Sequence, residues 1–414
     1  MKKFNIPENY RSSIVTSIKK FRTHHDQRKR DISPSLLTVG PVTFKIARHF
    51  GFCYGVENAI EIAFRAIDEN PGKRVFLLSE MIHNPMVNAD LERRGVRFLM
   101  TPHGDRSIPF EELTPDDVVI VPAFGTTVEL FAELASLGIN PRQYNATCPF
   151  VEKVWNRAQQ LGKAGFTVVI HGKHYHEETR ATFSHAKVDA PSIVIRNMEE
   201  AKELSSYFFM KPDESERIAA FHQRFAERCS PGFDPCKHLV KIGVVNQTTM
   251  LAGDTEAITQ FFRRIITDRV GEEQGKHCMA DTKDTLCYAT MENQSAIQGM
   301  VATGGDIAIV IGGYNSSNTT HLAKLCAKAC PTYTVKDADG IVSSALIHHL
   351  DLETLQPTQT ADWLPTKRPL TILISAGASS PDALIDQVIE KVCEVMQVQD
   401  LLSEAVRPFQ DLSC

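Results

Sequence analysis

The sequence predicts an α/β protein made of three βαβ-type domains with small, mainly parallel sheets. The chain has 414 residues, more than one typical hydrophobic core contains, so several domains are expected. Short apolar runs rich in β-branched residues alternate with helical patterns, which is typical of parallel strands joined by helices. One cysteine motif also recurs three times at long intervals, which indicates one copy in each domain.

Six apolar runs each lead into a polar loop and then into an amphipathic helix. In chain order they are residues 74–78, 118–121, 166–170, 240–245, 307–311 and 370–374. The loops that follow are rich in hydroxyl, amide and imidazole side chains. Ligands of parallel sheets bind beyond the carboxyl ends of the strands, where helix N-termini also direct free N–H groups. Helix capping alone explains any single loop of this kind, but six together predict an anion site.

Three cysteines, Cys53, Cys148 and Cys287, each stand between a short strand signal and a helix. A position near the first turn of a helix lowers the pKa of a thiol and favours the thiolate, which is the form that binds metal. Structural zinc usually takes closely spaced ligand pairs, whereas these cysteines lie 95 and 139 residues apart. Thiolates that converge from separate domains suit an iron–sulfur cluster or zinc. Three ligands for four irons would leave one iron open to a substrate oxygen.

The chain has ten cysteines in all. Cys326 and Cys330 lie four residues apart on a predicted helix, and we interpret them as helix core. Cys229 and Cys236 flank a Pro-Gly turn and are an alternative accessory site. The sequence gives no supporting context for the others, Cys278, Cys393 and Cys414.

The net charge of −5 is unevenly distributed. Residues 1–30 contain nine Lys or Arg and two acidic side chains, a net charge of +7, so the remainder carries −12. An acidic body argues against nucleic acid as a partner. A basic arm is usually a solvated tail; the alternatives are a surface that steers an acidic electron carrier and an organellar transit segment.

No apolar run is long enough for a membrane helix, and no signal-peptide segment is evident. We therefore expect no membrane association and a cytoplasmic location, or an organellar stroma if the arm is a transit segment. The predicted segments are a basic extension (1–43), an α/β domain (44–147), a second α/β domain (148–286) with an insertion at about 205–238, a third α/β domain (287–395) and a C-terminal tail (396–414). Alternatively, the first strand belongs to the last domain and not to the first α/β domain.

Seven motifs, in order along the chain, resemble the 4-hydroxy-3-methylbut-2-enyl diphosphate reductase family. They are residues 51–56 (GFCYGV), 80–84 (EMIHN), 146–149 (ATCP), 176–182 (HEETRAT), 246–249 (NQTT), 315–318 (NSSN) and 376–379 (AGAS). The resemblance covers roughly residues 42–395. Within the family, the sequence is similar to the plant and cyanobacterial branch.

This resemblance implies a trefoil of three α/β domains around a central [4Fe–4S] cluster held by Cys53, Cys148 and Cys287. It implies reductive dehydroxylation of (E)-4-hydroxy-3-methylbut-2-enyl diphosphate to isopentenyl and dimethylallyl diphosphates, the last step of the methylerythritol phosphate route to isoprenoids. Glu178 would be the proton donor, helped by Thr248. The residues implied to bind the substrate are His83, His176, Thr248, Ser316, Ser317, Asn318 and Ser379.

One position departs from the pattern of many bacterial members. Where they have a His that contacts the diphosphate, this sequence has Phe124, and Lys173 or His174 is a candidate to compensate. The resemblance also implies a low-potential electron donor such as ferredoxin or flavodoxin, and a monomer or homodimer.

Two alternatives from other classes stay open on the sequence. A zinc- or thiol-dependent hydrolase of a phosphorylated metabolite would be colourless and need no electron donor; His171, His174 and His176 are a possible zinc site for it. A non-enzymatic iron–sulfur sensor would need the cysteines but not Glu178. A parallel-sheet fold alone does not decide between these functions.

Overall fold

The computed structural model describes residues 4–28, 30–281 and 285–411 of the chain. The strands are β1 (Ser35–Val39), β2 (Val42–Ile46), β3 (Val75–Leu77), β4 (Arg97–Phe98), β5 (Val118–Val121), β6 (Tyr144–Asn145), β7 (Thr167–His171), β8 (Ser192–Ile195), β9 (Ile242–Asn246), β10 (Ile307–Ile311), β11 (Thr332–Val335), β12 (Ile341–Ser343), β13 (Leu346–Leu350), β14 (Pro357–Ala361) and β15 (Leu370–Ala376). The α-helices are α1 (Ile14–His25), α2 (Tyr54–Asp68), α3 (Pro85–Arg93), α4 (Val128–Ser136), α5 (Pro149–Lys163), α6 (Glu177–Asp189), α7 (Met198–Ser205), α8 (Ser215–Phe225), α9 (Pro235–His238), α10 (Ala252–Val270), α11 (Glu272–Cys278), α12 (Tyr288–Ala302), α13 (Ser317–Ala327), α14 (Asp382–Val395) and α15 (Leu402–Gln410).

The chain divides into two compact units. The first comprises Met1–Glu57, Ile82–Ala89 and Tyr288–Cys414, and the second comprises Asn58–Met81 and Asp90–Cys287. Both consist of helices and small, mainly parallel sheets, which confirms the predicted fold class. The division into three domains stays a prediction.

One sheet forms the centre of the first unit. Its strand order is β1-β2-β15-β10-β11-β13-β12, and β14 pairs with β13. Strands β2, β15, β10 and β11 are parallel neighbours, with Phe44 opposite Ile372 and Ile309 opposite Ile374. Every residue of β10 is buried, as expected for a parallel strand covered on both faces. Strand β2 from the N-terminal region thus lies beside β15 from the C-terminal region.

The basic N-terminal arm contributes to the core of this unit. Ile14, Val15 and Ile18 of α1 are buried in the same hydrophobic cluster as the sheet. Asp386 of α14 accepts hydrogen bonds from the N–H groups of Ile14 at 2.9 Å and Val15 at 3.0 Å. A carboxylate at this end of a helix is favourable because it faces the positive end of the helix dipole. The expectation of a solvated tail is therefore wrong for α1.

Two parallel sheets lie in the second unit, with the orders β4-β3-β5-β6 and β8-β7-β9. The four apolar runs predicted here correspond to β3, β5, β7 and β9; the run for β5 matches, and the ends of the others differ by one or two residues. Strands β7 and β9 are neighbours, and His171 at the end of β7 is opposite Asn246 at the end of β9. Since parallel strands end at the same edge, the loops that follow these two strands are adjacent.

The predicted insertion, residues 205–238, contains α8 and α9. Phe221 and Phe225 of α8 are completely buried, in a cluster that also contains Phe262 of α10. This segment is therefore part of the hydrophobic core of the second unit. Within the described ranges, no helix is long and apolar enough to cross a membrane.

Candidate active site

In the first unit, Cys53 lies directly before α2. Its N–H donates to the carbonyl oxygen of Ala378 at 3.3 Å, which connects the cysteine loop to the loop after β15. Gly51 has a φ of +76°, and a Cβ there would lie 2.3 Å from the carboxylate of Asp382. Only glycine fits this turn. The loop therefore fixes Cys53 at the start of a helix, where the helix dipole favours its thiolate.

The second unit contains the other two predicted cluster ligands. Cys148 is the N-cap residue of α5, and a proline occupies the first position of that helix. Cys287 is buried and directly precedes α12 in the chain. The hydroxyl of Thr285 donates to the side-chain oxygen of Asn246 at 2.7 Å, which connects the segment before Cys287 to the end of β9. Each predicted ligand thus stands at the beginning of a helix.

Several other cysteines are core residues. Cys326 and Cys393 belong to the hydrophobic cluster of the first unit, and burial raises the pKa of both thiols to about 12. Burial also raises the pKa of Cys229 to about 12. Thiols with such pKa values stay protonated at neutral pH and are poor metal ligands. The interpretation of Cys326 as helix core is confirmed, and an accessory site at Cys229 has no support.

Glu178 is the second residue of α6 and is 1% exposed. Thr248, in the loop after β9, donates its N–H to one carboxylate oxygen at 2.5 Å and its hydroxyl to the other at 3.0 Å. Burial raises the pKa of Glu178 to about 7, against the opposing effect of the two hydrogen bonds from Thr248. A carboxyl group with this pKa can donate a proton at neutral pH, as a general acid must.

His176 caps the helix that carries Glu178. Its Nδ1 accepts a hydrogen bond from the N–H of Glu178 at 3.2 Å, so the ring hydrogen of the neutral form is on Nε2. The ring lies edge-to-face against Phe124, with the ring centroids 5.7 Å apart. His176 has an extended backbone and Glu178 a helical one. Because the backbone changes from extended to helical between them, these two side chains can contribute to one site although they are two positions apart.

Gln247 is a site residue to which the sequence analysis assigned no role. Its side-chain oxygen accepts from the N–H of Lys173 at 3.1 Å and from the hydroxyl of Thr179 at 3.0 Å. Gly172 is needed beside it, because a Cβ there would lie 2.6 Å from the hydroxyl oxygen of Thr179. Gln247 thus joins the loops after β7 and β9. The sequence feature that could have identified Gln247 as a site residue is its position next to Thr248 in the NQTT motif.

Glu177 is a second buried carboxyl group, adjacent to Glu178 in the chain. Burial, with a smaller contribution from the nearby Glu80, raises its pKa to about 8, against the opposing effect of the hydroxyl of Ser79. Glu177 lines a cavity of about 120 Å³ together with Ser79 and Arg180. Because its pKa lies above 7, Glu177 is mainly neutral at neutral pH. The sequence motifs indicate no role for this residue.

In the first unit, His83 and Ser379 lie beside the loop that leads into α13. The hydroxyl of Ser379 donates to the carbonyl oxygen of His83 at 3.3 Å. Nδ2 of Asn315 donates to Nδ1 of His83 at 3.2 Å, which leaves the ring hydrogen of the neutral form on Nε2. Ser316 is the N-cap of α13, and its Oγ accepts from the N–H of Thr319 at 3.3 Å.

Ser317 and Asn318 occupy the first turn of α13, and both are buried. The side-chain oxygen of Asn318 accepts from the N–H of Ala378 at 3.4 Å, so this turn is connected to the loop that carries Ser379. Neutral hydroxyl, amide and imidazole donors are thus collected at the N-terminus of one helix. Such a set suits an anion, because the N–H groups of the first turn and the helix dipole act together.

The histidines at the end of β7 do not form a zinc site. Nδ1 of His171 is hydrogen-bonded to the hydroxyl of Thr255 at 2.8 Å, and His176 caps α6. Partial burial and the nearby Arg228 lower the pKa of His174, which makes it a poor cationic partner for a phosphate. In the part of the chain that the structure describes, no group of three His, Cys, Asp or Glu side chains is arranged for a single metal ion. The thiolates of a four-iron cluster surround a much larger group.

The predicted site residues therefore fall into two groups. The second unit brings together Glu178, Thr248 and His176. The first unit brings together the residues predicted to bind the diphosphate, His83, Ser316, Ser317, Asn318 and Ser379. The first group can deliver a proton, and the second can bind an anion.

Comparisons with known proteins agree with a site that delivers a proton and binds an anion. A family model described as LytB protein matches residues 44–393. A protein of Thermosynechococcus vestitus named 4-hydroxy-3-methylbut-2-enyl diphosphate reductase is 40% identical over 87% of this chain and 86% of its own length. One of the same name from Gloeobacter violaceus is 39% identical over 87% of this chain and 84% of its own length.

Two solved structures are also similar to this chain. One, titled as (E)-4-hydroxy-3-methyl-but-2-enyl diphosphate reductase, the terminal enzyme of the non-mevalonate pathway, has a TM-score of 0.51 and 26% identity. The match covers 86% of this chain and 100% of that one. The other, titled as the E-1-hydroxy-2-methyl-but-2-enyl-4-diphosphate reductase from Plasmodium falciparum, has a TM-score of 0.60 over 86% of this chain and 89% of that one. At 19% identity, this second likeness concerns the fold alone.

Proposed function

This chain belongs to the LytB protein family, and on that premise we propose that it reduces (E)-4-hydroxy-3-methylbut-2-enyl diphosphate. The reaction takes up two electrons and two protons, breaks the allylic C–O bond, releases water and gives isopentenyl or dimethylallyl diphosphate. Its relatives are named for this reduction. In this chain, the observation that carries the proposal is the buried Glu178, whose pKa of about 7 suits a proton donor.

Enzymes of this family use a [4Fe–4S] cluster, and we propose Cys53, Cys148 and Cys287 as its ligands. The donor chemistry fits, because each thiol stands at the start of a helix, where the thiolate is favoured. The buried thiols of Cys326 and Cys393, with pKa values of about 12, do not fit. When bound, the cluster supplies electrons one at a time and a Lewis-acidic iron.

The group around α13 would hold the substrate's diphosphate. Nε2–H of His83 and the hydroxyls of Ser316 and Ser317 are donors, and the free N–H groups of the first turn add to them. The hydroxyl of Ser379 would turn from the carbonyl oxygen of His83 to the diphosphate. The absence of a lysine or arginine from these proposed contacts is no obstacle, because helix N-termini bind phosphate through backbone N–H groups. His176 would contribute through its Nε2–H, next to Phe124.

Glu178 would supply the proton that converts the leaving hydroxyl to water. Burial keeps a proton on this carboxyl at neutral pH, and the N–H and hydroxyl of Thr248 fix the direction of its oxygens. Thr248 is therefore proposed both to position Glu178 and to contact the substrate. General acid catalysis of this kind typically contributes about 10²–10⁴-fold in rate.

The test is anaerobic purification followed by iron and sulfide assays and turnover of the allylic diphosphate with a low-potential chemical reductant. We expect the wild type to be coloured, to contain iron and sulfide, and to form the two five-carbon diphosphates. Ser variants of Cys53, Cys148 and Cys287 should each lose cluster and turnover. Cys236→Ser is the matched control and should keep both. Wild-type protein without iron and sulfide, or without turnover, would contradict the proposal.

The names of the relatives favour a reductase over the hydrolase and over the non-enzymatic sensor. A low-potential protein such as ferredoxin or flavodoxin is the proposed electron donor. The cytoplasmic or stromal location and the monomeric or dimeric state stay predictions.

A further inference from the structure

A cavity of about 350 Å³ lies beside Cys53 in the first unit. Three segments form its walls: the N-terminal arm, the loop that carries Cys53, and the start of α12. The arm contributes Phe4, Lys19 and Thr23, and α12 contributes Tyr288 and Glu292. Any molecule that enters this cavity comes close to a proposed cluster ligand.

The basic arm is attached to the cysteine loop. Nζ of Lys19 donates to the carbonyl oxygen of Phe50 at 3.1 Å and to the carboxylate of Asp382 at 2.8 Å. The same ammonium lies 4.4 Å from the centre of the Phe50 ring. Arg48, just before the loop, is 3.7 Å from the carboxylate of Asp26, which follows α1. The arm is therefore held at the mouth of the cavity.

Two exposed aromatic side chains line the cavity, Tyr54 with 40% and Tyr288 with 38% of its surface exposed. Met291, in the first turn of α12 after Tyr288, is also 38% exposed. Tyr54 directly follows Cys53 in sequence, and its ring contacts Phe4 edge-to-face at 5.0 Å. Tyr and Met are enriched in protein–protein interfaces relative to the rest of a protein surface. Exposed aromatic residues beside a redox site are therefore a suitable contact surface for a protein partner.

The arm adds positive charge next to this apolar surface. Lys20, Arg28 and Arg30 are exposed, and no carboxylate among the described residues lies within ion-pair distance of them. Two carboxylates close to the cavity have cationic neighbours, since Lys19 binds Asp382 and attracts Glu57, which lines the cavity. A third, Glu292, lies 3.8 Å from the imidazole of His49. The arm carries +7 on a chain that is otherwise −12. An acidic protein is thus attracted to the arm and repelled by the remainder.

We propose that this surface, formed by α1 with residues 26–28 and Arg30, the Cys53 loop and the start of α12, is the docking site for a small acidic iron–sulfur electron carrier. The proposal rests on the proposed function, which requires single electrons to reach the cluster. Charge steers such a partner and raises its association rate, while a small apolar centre suits a transient electron-transfer contact. The carrier would approach over the arm and place its own cluster near Cys53.

The test compares charge reversal on the arm with charge reversal elsewhere. The variant K20E/R28E changes two exposed cations of the arm. The variant K202E/K211E makes the same change in charge at two exposed lysines of the second unit. Binding of an oxidised plant-type [2Fe–2S] ferredoxin is titrated calorimetrically at low and at high salt, which gives a readout that does not depend on turnover. Turnover is then measured with the reduced ferredoxin and with photoreduced deazaflavin, a small reductant.

We expect K20E/R28E to weaken ferredoxin binding at low salt by about tenfold or more and to reduce the salt dependence of binding. Ferredoxin-driven turnover should fall in parallel, while deazaflavin-driven turnover stays at the wild-type rate. Met291→Glu, which replaces an exposed apolar side chain at the start of α12, should weaken binding as well. K202E/K211E should behave like the wild type.

Equal effects of the two charge reversals would overturn the proposal, and so would wild-type binding by K20E/R28E. Loss of deazaflavin-driven turnover in K20E/R28E would also overturn it, because the arm would then act on the enzyme itself. If the wild type has no turnover with any reductant, the proposed function is wrong, and the ferredoxin titration still decides the docking site.

Discussion

Replacing Glu178 with Gln removes a proton donor while it preserves the shape of the site. In the native protein, the two carboxyl oxygens accept hydrogen bonds from the N–H and the hydroxyl of Thr248, at 2.5 and 3.0 Å. Gln keeps an oxygen for the backbone N–H, and its amide can donate to the hydroxyl oxygen of Thr248. We therefore expect Glu178→Gln to fold, to retain iron and sulfide, and to bind substrate with wild-type affinity.

The size of the effect follows from the pKa of Glu178. With a pKa of about 7, roughly half of the carboxyls carry a proton at pH 7 and about one in ten at pH 8. Since only the protonated form donates, wild-type kcat should fall roughly tenfold for each further pH unit. Gln donates no proton, so kcat should fall by about 10²–10⁴-fold, and the pH dependence due to Glu178 should disappear.

The assay is steady-state turnover with a small chemical reductant, between about pH 6 and 9, under anaerobic conditions. Glu177→Gln is the matched control, because it makes the same substitution in the adjacent buried carboxyl and should keep most of the turnover. Iron content and substrate affinity are measured on both variants. If Glu178→Gln has the wild-type kcat, or if its pH profile is unchanged, Glu178 does not deliver the proton.

Three further substitutions test the anion site, the arm and the second buried carboxyl. His83→Phe removes an imidazole donor but leaves Glu178 in place, so KM should rise more than kcat falls; an unchanged KM contradicts the assignment. Ile18→Ala should lower the free energy of unfolding by about 2–5 kcal/mol, because the side chain is buried in the core. Lys20→Ala, at the surface, should change it by less than about 0.5 kcal/mol, and denaturant titration measures both. Glu177 has a pKa of about 8 in the folded chain against 4.5 ordinarily, so its contribution to stability is full below pH 4.5 and is lost as pH rises towards 8. Glu177→Gln should flatten that fall in the denaturation midpoint; a fall as steep as in the wild type would contradict the raised pKa.

The strands of the parallel sheets could be predicted because burial on both faces leaves a continuous apolar run. Residues 118–121 and 307–311 match β5 and β10 to the residue. Strand β14 could not be predicted in this way, since it is the polar segment PTQTA and none of its residues is buried. Its pairing with β13, the preceding strand in the chain, depends on backbone hydrogen bonds, which leave no apolar pattern in the sequence. The packing of α1 was missed for a different reason, because its partner Asp386 is more than 370 residues away.

The candidate site was easier to predict where chemistry is concentrated in short motifs at strand ends. The positions of Cys53, Cys148 and Glu178 at helix starts follow from the alternation of strand and helix. The sequence does not show which of the candidate side chains are buried. Glu177 and Glu178 look alike as two acids at the start of a helix, and only their surroundings show that both pKa values are raised. The role of Gln247 likewise depends on the adjacency of β7 and β9.

The place of β2 in its sheet has a consequence for synthesis on the ribosome. The hairpin of β1 and β2 is translated first, yet the parallel neighbour of β2 begins only at Leu370. All strands of the second unit are translated in between, so its two sheets can close while the edge of β2 is still open. An open strand edge invites pairing with other chains. The nascent chain therefore needs protection of this early hairpin for most of translation, and truncation before Leu370 leaves it without its partner.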